Sequence, residues 1–273
     1  MARTEQQAPA CSWARLCELQ LNLPADESKS IVRRVDVVQN SPLPPSFSGS
    51  GSLPAAMASQ RHHPSALRNR EPILAELRSL LPPAGDGTAD GGAPQHALEI
   101  ASGSGAHVEV FAPAFPSVRW WPTDYVGDSE LKALDEVGRD AHPNVAAAAC
   151  LDAASPWAEW PECVRALEGD FALVYNSNMG HISPWRCTVG MLEGAGRALK
   201  PKGLLVVYGP FKVDGCFTTE SNAAFDASLR QRDPEWGYRC VSELEAEGAK
   251  HGVTLRERRE MPANNLLLVF EKQ

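Results

Sequence analysis

The sequence predicts an α/β fold, a mostly parallel sheet with helices on both faces, and three observations carry that prediction. From position 96 onward short apolar runs alternate with amphipathic stretches, the pattern of repeated strand–helix units. The first run, HALEIAS (96–102), breaks directly into Gly103-Ser104-Gly105. A strand that opens into a glycine turn and then a helix is how such folds bring backbone close to a nucleotide-like ligand. The chain ends in VTLRERREMPANNLLLVFEK, which reads as two strands with a turn at 262–265 and no helix between them, hence an antiparallel edge.

The elements follow in order. RNREPILAELRSLLP places Ile73, Leu74, Leu77, Leu80 and Leu81 on one helical face, and Pro82-Pro83 stop it. AGDGTADGGAP is a Gly- and Asp-rich loop. HALEIAS is a strand and GAHVEVFAPAF a helix that Pro113 must bend or end. VRWWPTD is a strand, DSELKALDEVGRD a helix and NVAAAACLD a strand. PECVRALE is a helix, DFALVYNSN a strand, and PWRCTVGMLEGAGRALK a long helix ended by Pro201 and Gly203. GLLVVYGPF is a strand, and SNAAFDASLRQRD and SELEAEGAKHG are helices before the final strand pair.

Composition limits the function. A chain of 273 residues with 43% hydrophobic and 22% charged residues fits a globular protein of one large domain plus extras. No apolar run approaches the roughly 20 residues of a membrane helix, so no membrane partner is expected. Residues 1–56 hold five basic and five acidic side chains, so the whole net charge of -8 falls after them. An acidic domain is a poor partner for long nucleic acid. Seven cysteines without a Cys-x-x-Cys pair, and histidines without ligand spacing, argue for reduced thiols, an intracellular, cytoplasmic setting and no metal site.

Residues 1–60 differ from the rest. SPLPPSFSGSGSLPAA has the composition of a disordered linker, so the division is a weakly structured extension over 1–60 and a domain over 61–273. The extension balances its charges, unlike an acid-poor transit peptide, although organelle targeting stays open, as does a start at Met57.

Ligands of parallel sheets bind beyond the carboxyl ends of the strands, so chemistry is sought there. The first strand ends at Glu99, Ala101 and the turn Gly103, Ser104, Gly105. The second ends at Asp124, nineteen positions after Gly105, near the spacing at which a carboxylate accepts from ribose hydroxyls. A solvated Asp closing a strand would look the same. Asp152 ends the third strand and suits either an adenine amino group or a helix N-cap. The fourth runs into Asn178, Met179 and His181, with Ser183-Pro184 as a helix start. His181 is a candidate general base or a structural histidine. Tyr208 follows the fifth strand, and Asn264-Asn265 lie between the last two. These clusters fit substrate contact or plain turn chemistry. A dinucleotide turn would place a third glycine at Val108. Its absence, and a carboxylate at Glu99 that repels diphosphate, favour a ligand with positive charge such as S-adenosylmethionine.

These residues carry a family resemblance. RNREPIL (68–74), LEIASGSG (98–105), WPTD (121–124), NMGHISPWRCT (178–188), YGPF (208–211), SNAAFDASLRQRDPEWG (221–237) and MPANN (261–265) together closely resemble the domain-of-unknown-function 938 family, the methyltransferase-like protein 26 group. The resemblance spans residues 67–271. It implies a Rossmann-like class I methyltransferase fold with a seven-stranded sheet and S-adenosylmethionine as methyl donor. It further implies that Glu99, Ala101, Gly103, Ser104 and Gly105 border the methionine part. Asp124 would meet ribose, Asp152 adenine, and Asn178 and Met179 the adenosine or methionine side. Tyr208 and His181 are then the candidate catalytic groups. Arg68, Asn69, Asn264 and Asn265, outside the general cofactor pattern, are the substrate-side candidates. The methyl acceptor, a small molecule or a protein, is not named by the resemblance.

Three functions compete: a methyltransferase, a non-catalytic binding or assembly module that keeps the fold, and a nicotinamide-dependent dehydrogenase, which the missing third glycine disfavours. One consequence is independent of that choice. A truncation beginning at Met57 is expected to fold with a thermal midpoint within about 2 °C of the full chain, read by scanning calorimetry, because residues 1–56 supply no core; loss of the transition contradicts the domain division.

Overall fold

The computed structural model describes residues 61–81, 95–139 and 142–273. The expected extension over 1–60 and the Gly- and Asp-rich loop lie outside the described residues.

Seven strands form one sheet: β1 (Gln95–Ile100), β2 (Val118–Asp124), β3 (Ala149–Cys150), β4 (Phe171–Ser177), β5 (Leu199–Gly209), β9 (Val253–Met261) and β10 (Asn265–Lys272). Their order is β3-β2-β1-β4-β5-β10-β9. The first five run parallel, and β10 is antiparallel to both of its neighbours. The antiparallel pair is therefore not simply an edge, because the last strand inserts inside the sheet. Its burial explains this. The Leu266 to Phe270 run is buried throughout, whereas β9 is buried only at Val253 and Met261, carries half-buried or exposed and mostly charged residues between them, and tolerates the outer position.

Alternation along the strands makes two cores. On one face Leu98, Ile100, Val174, Leu205 and Val207 pack on α5 (Trp185–Ala198) and α7 (Val241–Lys250). On the other, Ala97, Leu173, Tyr175, Val206 and Tyr208 meet α1 (Pro64–Leu80) and α2 (Val108–Ala114). Helix α1 starts earlier than its apolar face suggests. Pro64 opens it, and the His63 ring accepts from the Ser65 amide at 3.2 Å. Between the strands lie α3 (Asp128–Gly138), the short α4 (Glu162–Arg165) and α6 (Glu220–Arg232).

Some local expectations need correction. Of the strand expected over 144–152 only Ala149–Cys150 forms. Trp120 exchanges two backbone bonds with Asn144 and Ala146 and the alanine run then leaves the ladder, lacking the β-branched side chains that favour strand. Helix α5 ends at Ala198 instead of at Pro201. Residues 201–203 bulge out of β5, where the register against β4 shifts and Lys202 takes φ 66°. Ser183 does not cap α5. Pro184 occupies the cap position, and the Ser183 hydroxyl donates to the Met179 carbonyl at 2.9 Å. A second sheet of β6 (Phe211–Val213), β7 (Cys216–Phe217) and β8 (Arg239–Cys240) was not expected. It turns on Asp214 (φ 51°) and Gly215 (φ 76°), the two positive angles a two-residue hairpin requires.

No helix among the described residues is long and apolar enough to cross a membrane. Where α5 passes the 3-10 turn Trp157–Glu159, Gly194 lies against the Trp160 ring, and an added Cβ would overlap it. Gly194→Ala is expected to destabilise the protein by about 1–3 kcal/mol through displacement of that indole, measured by urea denaturation; an unchanged midpoint contradicts the packing.

Candidate functional site

The carboxyl ends of β1, β2, β4 and β5 share one edge of the sheet, and the start of β10 returns to it opposite Gly209. Most of the non-glycine residues with left-handed backbone cluster there. Ala101 (φ 59°) follows β1, Asn178 (φ 59°) follows β4, and Ala263 (φ 61°) with Asn264 (φ 58°) form the turn before β10. Such angles cost free energy in residues with a Cβ and persist where surrounding structure imposes them, as at ligand sites.

The glycine turn is tied into the sheet. Ser102 donates its amide to the Thr123 carbonyl at 2.9 Å, and the Thr123 hydroxyl donates to the Glu99 carbonyl at 2.8 Å. Gly103 has φ 56° and open space where a Cβ would project. Gly105 has φ 80°, and a Cβ there would come within 2.9 Å of Leu134 on α3. The second glycine thus provides the close helix contact that a third glycine gives dinucleotide turns. Ser104 faces the other way, its hydroxyl 2.8 Å from Nδ1 of the buried His62.

Asp124 is buried, and its carboxylate accepts from the amides of Gly103 at 2.5 Å and Tyr125 at 2.7 Å. Burial raises its pKa to about 6 and those two amides work against the rise. Beside it a shallow depression, partly open to solvent, is lined by Ile100, Ala101, Tyr125, Leu151, Asp152, Ala153, Met179 and Cys187. The helix N-cap that was the alternative for Asp152 does not form; its carboxylate accepts from the Ala154 amide at 2.8 Å in a local turn, and the next helical turn is capped by Pro156. Tyr125 is 41% exposed and Cys187 buried; neither was singled out from the sequence. Tyr125 was legible as the aromatic after the β2 carboxylate, whereas Cys187 reaches the depression only because α5 crosses beneath it.

Glu99 is the most constrained group. It is 1% exposed, its Oε2 meets no hydrogen-bond partner, and burial, with the nearby Asp124 charge adding to it, raises its pKa to about 8, against a smaller opposing contribution from Ser102. His107 Nδ1 lies 3.6 Å from Glu99 Oε1, and His107 Nε2 lies 2.9 Å from Asn69 Oδ1. Burial lowers the His107 pKa to about 3. Sequence reading missed His107 and Tyr175. Tyr175 is opposite Glu99 in register, with an unpartnered hydroxyl. The period-two pattern put Tyr175 on the Glu99 face of β4, a signal that was available, whereas His107, at the cap position of α2, reaches Glu99 only through the tertiary fold.

Tyr208 receives a hydrogen bond from Asn265 Nδ2 at 3.0 Å. Burial raises its pKa, opposed by the Asn265 and Asn69 amides and by the Arg68 guanidinium. Arg68, Asn69, Tyr208 and Asn265 therefore meet, although 57 positions separate the last two. Asn264 joins them through the turn, its carbonyl 3.4 Å from Nδ2 of Asn222 on α6. His181 was a candidate general base or a structural histidine. It is buried among Phe225 and Tyr238, and burial, with Arg239 adding to it, lowers its pKa to about 3.

A family model described as protein of unknown function, DUF938, matches residues 60–272. The chain belongs to the DUF938 family. Solved structures share the architecture. The mitomycin 7-O-methyltransferase MmcR matches with TM-score 0.58 and 17% identity over 77% of this chain and 55% of its own. An O-methyltransferase family protein from Burkholderia thailandensis gives 0.57 and 15% over 77% and 57%. PigF, with SAH, gives 0.52 and 14% over 76% and 60%. Likeness at these identities is likeness of fold, and this DUF938 chain spans 55–60% of the length of those proteins. The fold is a Rossmann-like methyltransferase fold.

The two glycines of this DUF938 turn should separate in experiment. Gly105→Ala is expected to cost about 2–4 kcal/mol of stability, combining backbone strain with a clash on Leu134. Gly103→Ala should cost only about 1 kcal/mol, since strain acts alone. Equal losses in denaturant melts would refute this division of roles.

Proposed function

We propose that the protein is an S-adenosylmethionine-dependent methyltransferase whose cofactor lies along the carboxyl edge of β1, β2 and β3. The observation that carries the reading is Glu99. A carboxyl buried at a strand end with an orphaned oxygen suits a ligand that brings its own cation, and the methionine ammonium is one. The residues around it fit the rest of that molecule. Gly103 leaves backbone accessible, Asp124 retains lone pairs beyond its two amide bonds, and Asp152, Met179 and Tyr125 line the depression that would take the adenine. The SAH held by PigF supports the same reading by analogy of fold.

S-adenosylmethionine supplies a methyl group already activated on a sulfonium. The protein's part is then alignment and exclusion of water. Ala101 and Gly103 hold the turn open, and Asp124 fixes it through the Gly103 amide. Tyr208, Asn265, Asn69 and Arg68 form the acceptor side. The Tyr208 hydroxyl stays protonated near neutral pH, so it orients the acceptor by donating a hydrogen bond. His181, kept neutral by burial, serves as a fixed hydrogen-bonding ring and is too weak a base to take up a proton readily. The acceptor is accordingly a nucleophile on a small molecule or protein side chain that needs little help in losing a proton. The lack of a poised base on the acceptor side among the described residues also favours the second reading, a cofactor-holding module without transfer activity.

Titration calorimetry with S-adenosylhomocysteine tests the cofactor. Wild type should bind, Glu99→Gln should weaken binding about 10–100-fold by removing a charge-assisted contact, and Asp124→Ala should weaken it as well. Absence of binding by wild type overturns the proposal. Isotope-labelled S-adenosylmethionine incubated with fractionated extract then separates the readings, since a labelled product requires transfer and its absence with binding intact leaves the module.

A further inference from the structure

Asn69 joins the two halves of the site. It lies on α1, buried, and its Oδ1 is 2.9 Å from His107 Nε2. An amide oxygen only accepts, so Nε2 carries the hydrogen and the neutral ring is bare at Nδ1. The Asn69 amide also interacts with the Tyr208 hydroxyl. Bare Nδ1 therefore faces Glu99 Oε1 at 3.6 Å. A carboxylate there would confront a lone pair, without a hydrogen from His107 to stabilise it.

The Ser102 hydroxyl favours the ionised form of Glu99, but by less than burial opposes it. Asp124 at the end of β2 adds negative charge, and Tyr175 on β4 contributes an unpartnered hydroxyl and Ser102 a hydroxyl. On the far side of His107 stand Arg70 on α1 and His62. Both oppose a second proton on that ring, and each is within ion-pair distance of Glu109, Arg70 at 2.7 Å and His62 at 3.4 Å. The two burial shifts, Glu99 upward and His107 downward, agree with a neutral pair.

We propose that Asn69 is a positioning residue that, by selecting the His107 tautomer with Nδ1 bare toward Glu99, keeps Glu99 a protonated acid in the ligand-free protein, so that docking of an ammonium group expels one proton to solvent. The balance is a carboxylic acid plus an ammonium giving a carboxylate–ammonium pair and one free proton. The inference rests on the proposed cofactor site and adds to it a cost of binding that depends on pH. Below the Glu99 pKa of about 8, affinity rises with pH, because the acid must ionise before it pairs.

The test uses the full chain and S-adenosylhomocysteine between pH 6 and 7, below the roughly 7.7–8.0 at which an α-amino group itself loses its proton. Affinity for wild type should increase about tenfold over that unit. The binding enthalpy should vary with the ionisation enthalpy of the buffer, corresponding to about one proton released. Adenosine, which lacks the ammonium, should gain less than about twofold over the same unit, the part owed to ionisation of Asp124 with its pKa of about 6. Asn69→Ala frees His107 to present a hydrogen to Glu99, and the tenfold rise should fall to less than about threefold. Binding of S-adenosylhomocysteine that is flat in pH, with no proton release by wild type, overturns this inference and leaves the cofactor site standing. An undiminished pH slope in a folded Asn69→Ala protein overturns the role of Asn69. No binding at all overturns the cofactor site and this inference together.

Discussion

A carboxyl group buried without a cation is the constraint around which the site is arranged. Taking an ionised carboxylate out of water costs several kcal/mol unless a partner is supplied. Glu99 is fully enclosed and has none among the described residues that carries a full positive charge, because its nearest basic neighbour, His107, is itself held neutral. The fold resolves this by leaving the group uncharged, which makes the position receptive to a cation arriving from outside. The surrounding features follow from that choice: α1 seals the group from water, Asn69 holds the ring beside it, and Asp124 is turned away onto backbone amides.

Alternation in the sheet explains how these groups come together. Glu99, Tyr175 and Tyr208 all project to the face covered by α1 and α2, while their strand neighbours Ile100, Val174 and Val207 build the opposite core. A polar row is thereby placed at the end of an apolar face. The helix that covers the apolar part brings Arg68 and Asn69 over the polar part. The depression lined by Tyr125, Asp152 and Met179 lies at the same strand ends. The proposed cofactor side lies at the ends of β1, β2 and β3 and the proposed acceptor side at the end of β5 and the start of β10, and Asn69 reaches His107 beside the first and Tyr208 in the second.

Backbone strain marks the same edge. Ala101, Asn178, Ala263 and Asn264 adopt angles that a residue with a Cβ avoids, and hydrogen bonds hold two of them, from the Asn178 amide to the Tyr208 carbonyl at 2.8 Å and from the Asn222 side-chain amide to the Asn264 carbonyl at 3.4 Å. All four flank strands at this edge, Ala101 after β1, Asn178 after β4, and Ala263 with Asn264 between β9 and β10, where the sheet beneath imposes the strained angles.

The sequence by itself determined the α/β class, the strand–helix alternation, the glycine turn and the acids that follow β1 and β2. Each of these depends on period or on spacing along the chain, which a linear reading preserves. It also contained the Asp214-Gly215 hairpin signal, although the short strands beside it carry too few apolar residues to stand out. Family segments such as MPANN and RNREPIL flagged Asn265 and Asn69 without saying what they touch. Only the tertiary structure decided that these two converge on Tyr208, that β10 lies inside the sheet, that His181 is buried and that His107 faces Glu99. The physical reason is that burial and hydrogen-bond partners depend on which faces of distant elements meet. His107 and Glu99 are eight residues apart, yet their protonation is set by Asn69, thirty-eight positions upstream of His107, and by the exclusion of water around all three.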